Sequence, residues 1–239
     1  MNTDTKKSNL KKRKQNAKKR QILKLAGIGA GIVGLVTCAV TFTSCGTSYD
    51  ADINTLFLLK DGKVVTTDVE VFEKDEYSEE ELNTYVQQNI DTYNAEHGEN
   101  SVTKKTLSVN ENVAMLTLEY ADTNTYEDFY GSELFHGTIA DAKEQGYDFD
   151  VEFVAVTDKN INYCTLEDLE LEEDLKVVIV KANTKVQVDG SICYLSTEGV
   201  SEYNENWVQI KAGSVLERTE DLNDDTEVLT ELEEIESSE

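Results

Sequence analysis

The chain has no proline, one tryptophan, two histidines and four cysteines in 239 residues, and each scarcity removes a class of protein. Without proline, and with only thirteen glycines, a collagen-like triple helix has no basis. Four cysteines are too few for a disulfide scaffold, and no Cys-x-x-Cys is present to make a redox motif or a zinc ribbon. A serine hydrolase needs a nucleophile, a histidine base and an acid to orient it, yet only His97 and His136 are on offer and no Gly-x-Ser-x-Gly elbow occurs. Bases are scarce too once the first 44 residues are set aside: from Cys45 onward 12 Lys/Arg stand against 47 Asp/Glu, a formal balance of −35. Such a body repels a polyanion, which excludes nucleic acid as a partner.

What is present begins with a leader of opposite character. Ten Lys/Arg lie within residues 1–24, and an uncharged run of 18 residues follows from Leu25 to Phe42. A basic segment stays on the cytoplasmic side of a membrane, and an apolar run of this length suits either a secretory h-region or a marginal membrane span. The glycines of Gly27 to Gly34 follow no strand and therefore make no phosphate cradle.

Directly after that run stands Phe42-Thr43-Ser44-Cys45. This tetrad resembles the lipobox of bacterial lipoproteins, with Phe42 in place of the commoner leucine. The resemblance implies cleavage between Ser44 and Cys45, a diacylglyceryl group on the Cys45 thiol, palmitate-type acylation, and a body tethered at the outer face of the bacterial cytoplasmic membrane. Two acyl chains anchor stably where one binds marginally. On this reading residues 1–44 form the signal peptide and 45–50 a short linker; the alternative is an uncleaved single-pass membrane anchor.

The expected fold class is α+β, with a mixed unit over 51–157 and a small antiparallel β meander over 158–216. Leu56 to Leu59 and Val64 to Phe72 read as a hairpin closed by Asp61-Gly62, whose pair would supply the positive-φ residues. Ser78-Glu79-Glu80-Glu81 has the spacing of a capping box, and Leu82, Tyr85, Val86, Ile90 and Tyr93 recur at helical period, which places a helix over about 79–97. Val102 to Val109 and Val113 to Tyr120 form a second hairpin. Two short helices follow, capped by Thr125 and Thr138, and five strands then lie between Val151 and Lys211, with Asp189-Gly190 as another tight hairpin turn. Residues 217–239 carry acids of one sign and read as a mostly disordered tail. Phe135-His136-Gly137-Thr138-Ile139 together with Gly146-Tyr147-Asp148-Phe149 resembles a segment of uncharacterised lipoproteins of the Clostridia, over that part of the body only, and brings no activity with it.

Chemistry is thinly marked. His97 reads as a helix C-terminal residue and His136 as a loop residue beside Phe135 and Gly137. Cys164 and Cys193 are an even pair in an exported chain, so a disulfide and two buried thiols both remain open. The nearest approach to a calcium loop, Asp221-Leu222-Asn223-Asp224-Asp225, has Thr226 where glycine belongs and Leu232 where glutamate belongs. Tyr194, Tyr203 and Trp207, and separately Tyr120, Tyr126, Phe129 and Tyr130, are aromatic groups that suit core packing better than recognition. No catalytic residue, metal ligand or cofactor is expected. The body reads as a binding or accessory module, set against two rivals: a cell-envelope enzyme using carboxylates, and a low-affinity divalent-cation binder.

Overall fold

In the computed structural model, residues 33–38, 49, 51–72, 78–156, 162–164 and 175–216 are described. The leader outside 33–38, the acidic stretch around 165–174 and the tail from 217 lie outside them, as do Ser44 and Cys45. Strand pairing starts inside the apolar run, where Val33–Cys38 forms β1.

Thr55–Leu58 (β2) and Val64–Val71 (β3) make the first hairpin, Leu58 opposite Val64. Its turn departs from expectation in one respect: Gly62 alone has a positive φ, 86°, while the Asp61 carboxylate accepts from the Lys63 N–H at 3.2 Å. One residue of the pair thus supplies the backbone freedom and the other a local acceptor.

Glu79–His97 (α1) begins as the capping box predicts, with Ser78 Oγ accepting from the Glu81 N–H and the Glu81 carboxylate accepting from the Ser78 N–H. Leu82, Val86 and Ile90, four residues apart, are the side chains it buries. Val102–Asn110 (β4) and Val113–Tyr120 (β5) pair across Glu111-Asn112, both at positive φ (49° and 76°), the backbone of a two-residue type I′ turn. Asn94 locks α1 to β4: its amide donates to the Val102 carbonyl and accepts from the Val102 N–H, both at 2.9 Å.

Thr123–Tyr130 (α2) is capped by Asp122 rather than Thr125, because Asp122 Oδ1 accepts from the Thr125 N–H at 2.7 Å and Thr125 is already inside the helix. Leu134–Thr138 is a strand, β6, so His136 lies in a sheet and not in a loop. Ile139–Glu144 (α3) starts on the expected Thr138, whose box partner is Asp141. The remaining strands are Phe153–Ala155 (β7), Asn162–Cys164 (β8), Lys176–Val180 (β9), Lys185–Val188 (β10), Ser191–Ser196 (β11), Glu198–Tyr203 (β12) and Trp207–Val215 (β13).

These strands form two sheets, ordered β6-β9-β1-β11-β7-β8 and β12-β13-β10-β2-β3-β5-β4. The fold class is α+β, and strands from either side of residue 157 share both sheets: β10 runs parallel to β2, β6 pairs with β9, and β7 pairs with β11. The second tight turn differs from expectation. Asp189-Gly190 joins β10 in one sheet to β11 in the other, so it is a crossover and not a hairpin. The backbone bonds of its flanks go elsewhere, Asp189 N–H to the Leu58 carbonyl and Ile192 N–H to the Glu205 carbonyl. Thr197, 4 % exposed, is the single residue that carries the chain back across into β12.

A principal core of Leu56, Leu58, Val64, Leu118, Val178, Val180, Val186, Leu195, Val208 and Ile210, extended by α1 and α2, fills the space between the sheets. Phe135, Ile139, Ala142, Phe149, Phe153, Val177 and Ile179 form a smaller core, which joins α3 to the opposite face of the six-stranded sheet. Val178 and Val180 point one way and Val177 and Ile179 the other, so β9 is apolar on both faces, as a strand buried on both sides must be.

Candidate functional site

Strand alternation decides where the one deeply buried carboxylate among the described residues goes. On β3, Val64, Thr66 and Asp68 face inward together, opposite Tyr120, Leu118 and Leu116 of β5. Helical spacing in α2 puts Tyr126 and Tyr130 on one face, stacked at 4.9 Å, above the edge of Tyr120. Tyr130 Oη donates to Asp68 Oδ1 at 2.5 Å, and Thr66 Oγ1 donates to Asp68 Oδ2 at 3.3 Å. Tyr120 Oη lies 3.4 Å from the same threonine hydroxyl, and the Tyr126 hydroxyl bonds the Ser132 side chain.

Burial raises the Asp68 carboxyl to about 6, although the Tyr130 and Thr66 bonds pull it down; nearby Glu70 pushes the same way as burial. Burial likewise drives the phenols of Tyr120, Tyr126 and Tyr130 above their ordinary range, so at neutral pH all three are donors. Every polar atom in this knot has a partner. With Asp68 only 8 % exposed, the arrangement takes up a proton as pH falls through about 6, behind side chains that shield it from a substrate.

A pocket lined by described residues lies elsewhere, where Phe57, Leu58 and Leu59 meet Gln187 to Gly190 and Asn206. Its volume is about 140 Å³, below the roughly 300 Å³ at which small-molecule sites begin. Asp68 does not line it.

The residues singled out in the sequence are scattered. Cys45 and Ser44 lie outside the described residues, but Tyr49, four positions on, is fixed: its carbonyl accepts from Thr67 Oγ1 at 2.7 Å and its ring meets Phe57 edge-on at 5.3 Å. His97 stacks on Tyr93 at 4.0 Å, with Nε2 3.6 Å from Asp128 Oδ2, at the end of α1. His136, on β6, is partly buried; its basicity is lowered by that burial and by Lys176. Three strand spacings separate β6 from β11, about 14 Å, which rules out a catalytic pair between His136 and Cys193. Strand β7 stands between Cys164 on β8 and Cys193 on β11, holding their backbones about 9.6 Å apart or more, beyond the roughly 7 Å that a disulfide spans. The near-miss calcium loop at 221–225 lies outside the described residues, and among those described no group of three or more His, Cys, Asp or Glu could hold a metal ion. Tyr120, Tyr126 and Tyr130 are core, as expected, whereas Tyr194, Tyr203 and Trp207 do not gather: Tyr194 packs on the smaller core, Tyr203 on the principal one, and Trp207 lies under the Lys185 ammonium at 4.3 Å.

Sequence reasoning missed Asp68. Its signal was the parity of Val64-Val65-Thr66-Thr67-Asp68, which puts an acid on the same face as two residues of a buried strand. No family, curated protein or solved structure matches this chain.

Proposed function

We propose that this chain is a lipid-anchored extracytoplasmic binding or accessory protein, attached through Cys45 to the outer face of the bacterial cytoplasmic membrane. The observation that supports this reading is the closeness of the lipobox-type tetrad Phe42-Thr43-Ser44-Cys45 to Tyr49, the first described residue after Cys45. Tyr49 is tied to Thr67, so four residue steps, about 14 Å of extended chain at most, separate the acylated cysteine from that contact with the seven-stranded sheet. The body would sit against the lipid surface rather than reach away from it, its acidic balance keeping it soluble and unattached to anionic polymers. Function on this reading lies in contact with a partner, and neither the Asp68 knot nor the small pocket is a site of turnover.

The test is the intact mass of the protein taken from membranes of its own host, beside that of a Cys45→Ala variant. A mass lacking residues 1–44 and carrying a diacylglyceryl adduct, absent from the variant, is the expected result. Full-length, unmodified masses in both would overturn the reading in favour of an uncleaved anchor.

A further inference from the structure

The six-stranded sheet is two pieces joined by one strand. β6 and β9 make one piece, β11, β7 and β8 the other, and β9 and β11 are bridged only by β1, which runs antiparallel to both. The seat is defined residue by residue: Val33 to Thr37 pair with Val180 back to Lys176, and Leu35 to Cys38 pair with Leu195 back to Ser191. It is apolar on both faces, since Val178, Val180, Ile192 and Leu195 belong to the principal core while Val177 and Ile179, with partly buried Tyr194, belong to the core under α3. A strand in this seat must therefore be uncharged and mainly apolar, and Val33-Gly34-Leu35-Val36-Thr37-Cys38, with Thr37 as its one hydroxyl, meets that condition.

Cleavage before Cys45 removes that strand from the exported body. Resting on the lipoprotein reading, we propose that the gap between β9 and β11 in the processed chain is a strand-acceptor site, filled by an extended, uncharged apolar segment of about six residues from a partner protein, antiparallel to both flanking strands. Left empty, the gap would present two facing rows of backbone N–H and C=O groups between two apolar cores, a template on which a further strand pairs. Backbone pairing on both edges supplies affinity, and the double-sided burial selects against any charged segment. The leader, on this account, holds the seat in the precursor.

The experiment uses the processed chain from host membranes, purified in detergent to a single polypeptide, with its mass read first. Hydrogen exchange is then followed with and without a synthetic peptide covering residues 31–40, carrying Cys38→Ser and terminal lysines, and with the same peptide bearing Val36→Pro, which removes one amide and fixes φ. Support takes the form of amides in 176–180 and 191–195 exchanging at least about tenfold faster than those of β3 and β5, slowing on addition of the peptide and not of its proline variant. Protection of β9 and β11 equal to that of β3 and β5 in the processed chain, with no response to peptide, means the sheet has closed on itself and overturns the proposal. A mass that retains residues 33–38 overturns the lipoprotein reading instead, and shows the seat filled permanently by the chain's own strand.

Discussion

Tyr130 Oη stands 2.5 Å from Asp68 Oδ1, joining a residue of the second helix to a carboxylate 62 positions earlier on a central strand. The bond fastens α2 to the seven-stranded sheet, and it bears on the ionisation of the core. In the folded chain the Asp68 carboxyl is raised from 3.8 to about 6, so the folded state binds this proton more tightly than the unfolded one. Stability contributed by Asp68 is then greatest below about pH 4 and falls as pH rises toward 6, changing little above that. A rise of that size is worth about 3 kcal/mol between the protonated and ionised forms. Urea melts at pH 4 and pH 7 should therefore show a smaller difference in Asp68→Asn than in the parent, by that order; equal differences would mean that Asp68 does not titrate between them.

Tyr130→Phe tests the same bond from the other side. Removing the donor leaves Thr66 as the only side chain bonded to the Asp68 carboxylate, so the carboxyl should rise further and the loss of stability should be larger at pH 7, where a charge is stranded, than at pH 4. The expected cost at pH 7 is about 1.5–3 kcal/mol. Measuring both variants and the double substitution gives the coupling directly; additivity would show that the hydroxyl and the carboxylate do not interact.

How much of this could be read from the sequence depends on whether the cause was local. The helix over 79–97 was legible because Ser78, Glu81 and the Leu82-Val86-Ile90 stripe lie within one segment, and the 111–112 turn because two strands adjoin it. Asp189-Gly190 looked like a hairpin turn because the same dipeptide serves any sharp reversal; that β10 and β11 part into different sheets depends on Leu58 and Glu205, which are remote. β6 was missed since Leu134–Thr138 carries a glycine and a histidine and owes its extended form to β9. The run from Leu25 to Phe42 is ambiguous for a physical reason: a secretory h-region and a strand buried on both faces make the same demand, a continuous stretch without charge. Asp68 was readable in parity, but its partner Tyr130 was not, because nothing local brings α2 over β3.

Gly137 illustrates a constraint that composition hides. A β carbon built there would come within 2.6 Å of the Phe135 ring, which lies back along its own strand over the glycine. Phe135 also meets Tyr147 at 5.2 Å and is part of the core beneath α3. Gly137→Ala should displace that ring and cost about 1–3 kcal/mol, with recovery when Phe135 is shortened to leucine in the same chain. Thermal melts of the two variants decide it: an unchanged midpoint for Gly137→Ala would show that the ring moves aside freely.

The placement of Cys164 and Cys193 on either side of β7 predicts that the two are not bridged to each other, even in an oxidising compartment. A nonreducing digest of the protein should contain no peptide pair that joins positions 164 and 193. A bridged peptide in a nonreducing digest would require β7 to leave the sheet.

Asn94 offers the sharpest separation of helix propensity from tertiary fastening. Its amide makes both of its bonds to the backbone of Val102, the first residue of β4, whose side chain is 1 % exposed. Asn94→Ala improves helix propensity by a few tenths of a kcal/mol yet leaves a buried N–H and C=O without that partner, at about 1–3 kcal/mol together. The balance is a net loss, and it should appear as faster hydrogen exchange at the start of β4 before α1 itself unfolds. Asn94→Asp separates the two bonds, because a carboxylate still accepts from the Val102 N–H but cannot donate to its carbonyl. Stability midway between parent and alanine variant would assign comparable weight to each, and a value equal to the alanine variant would assign the fastening to the donated bond.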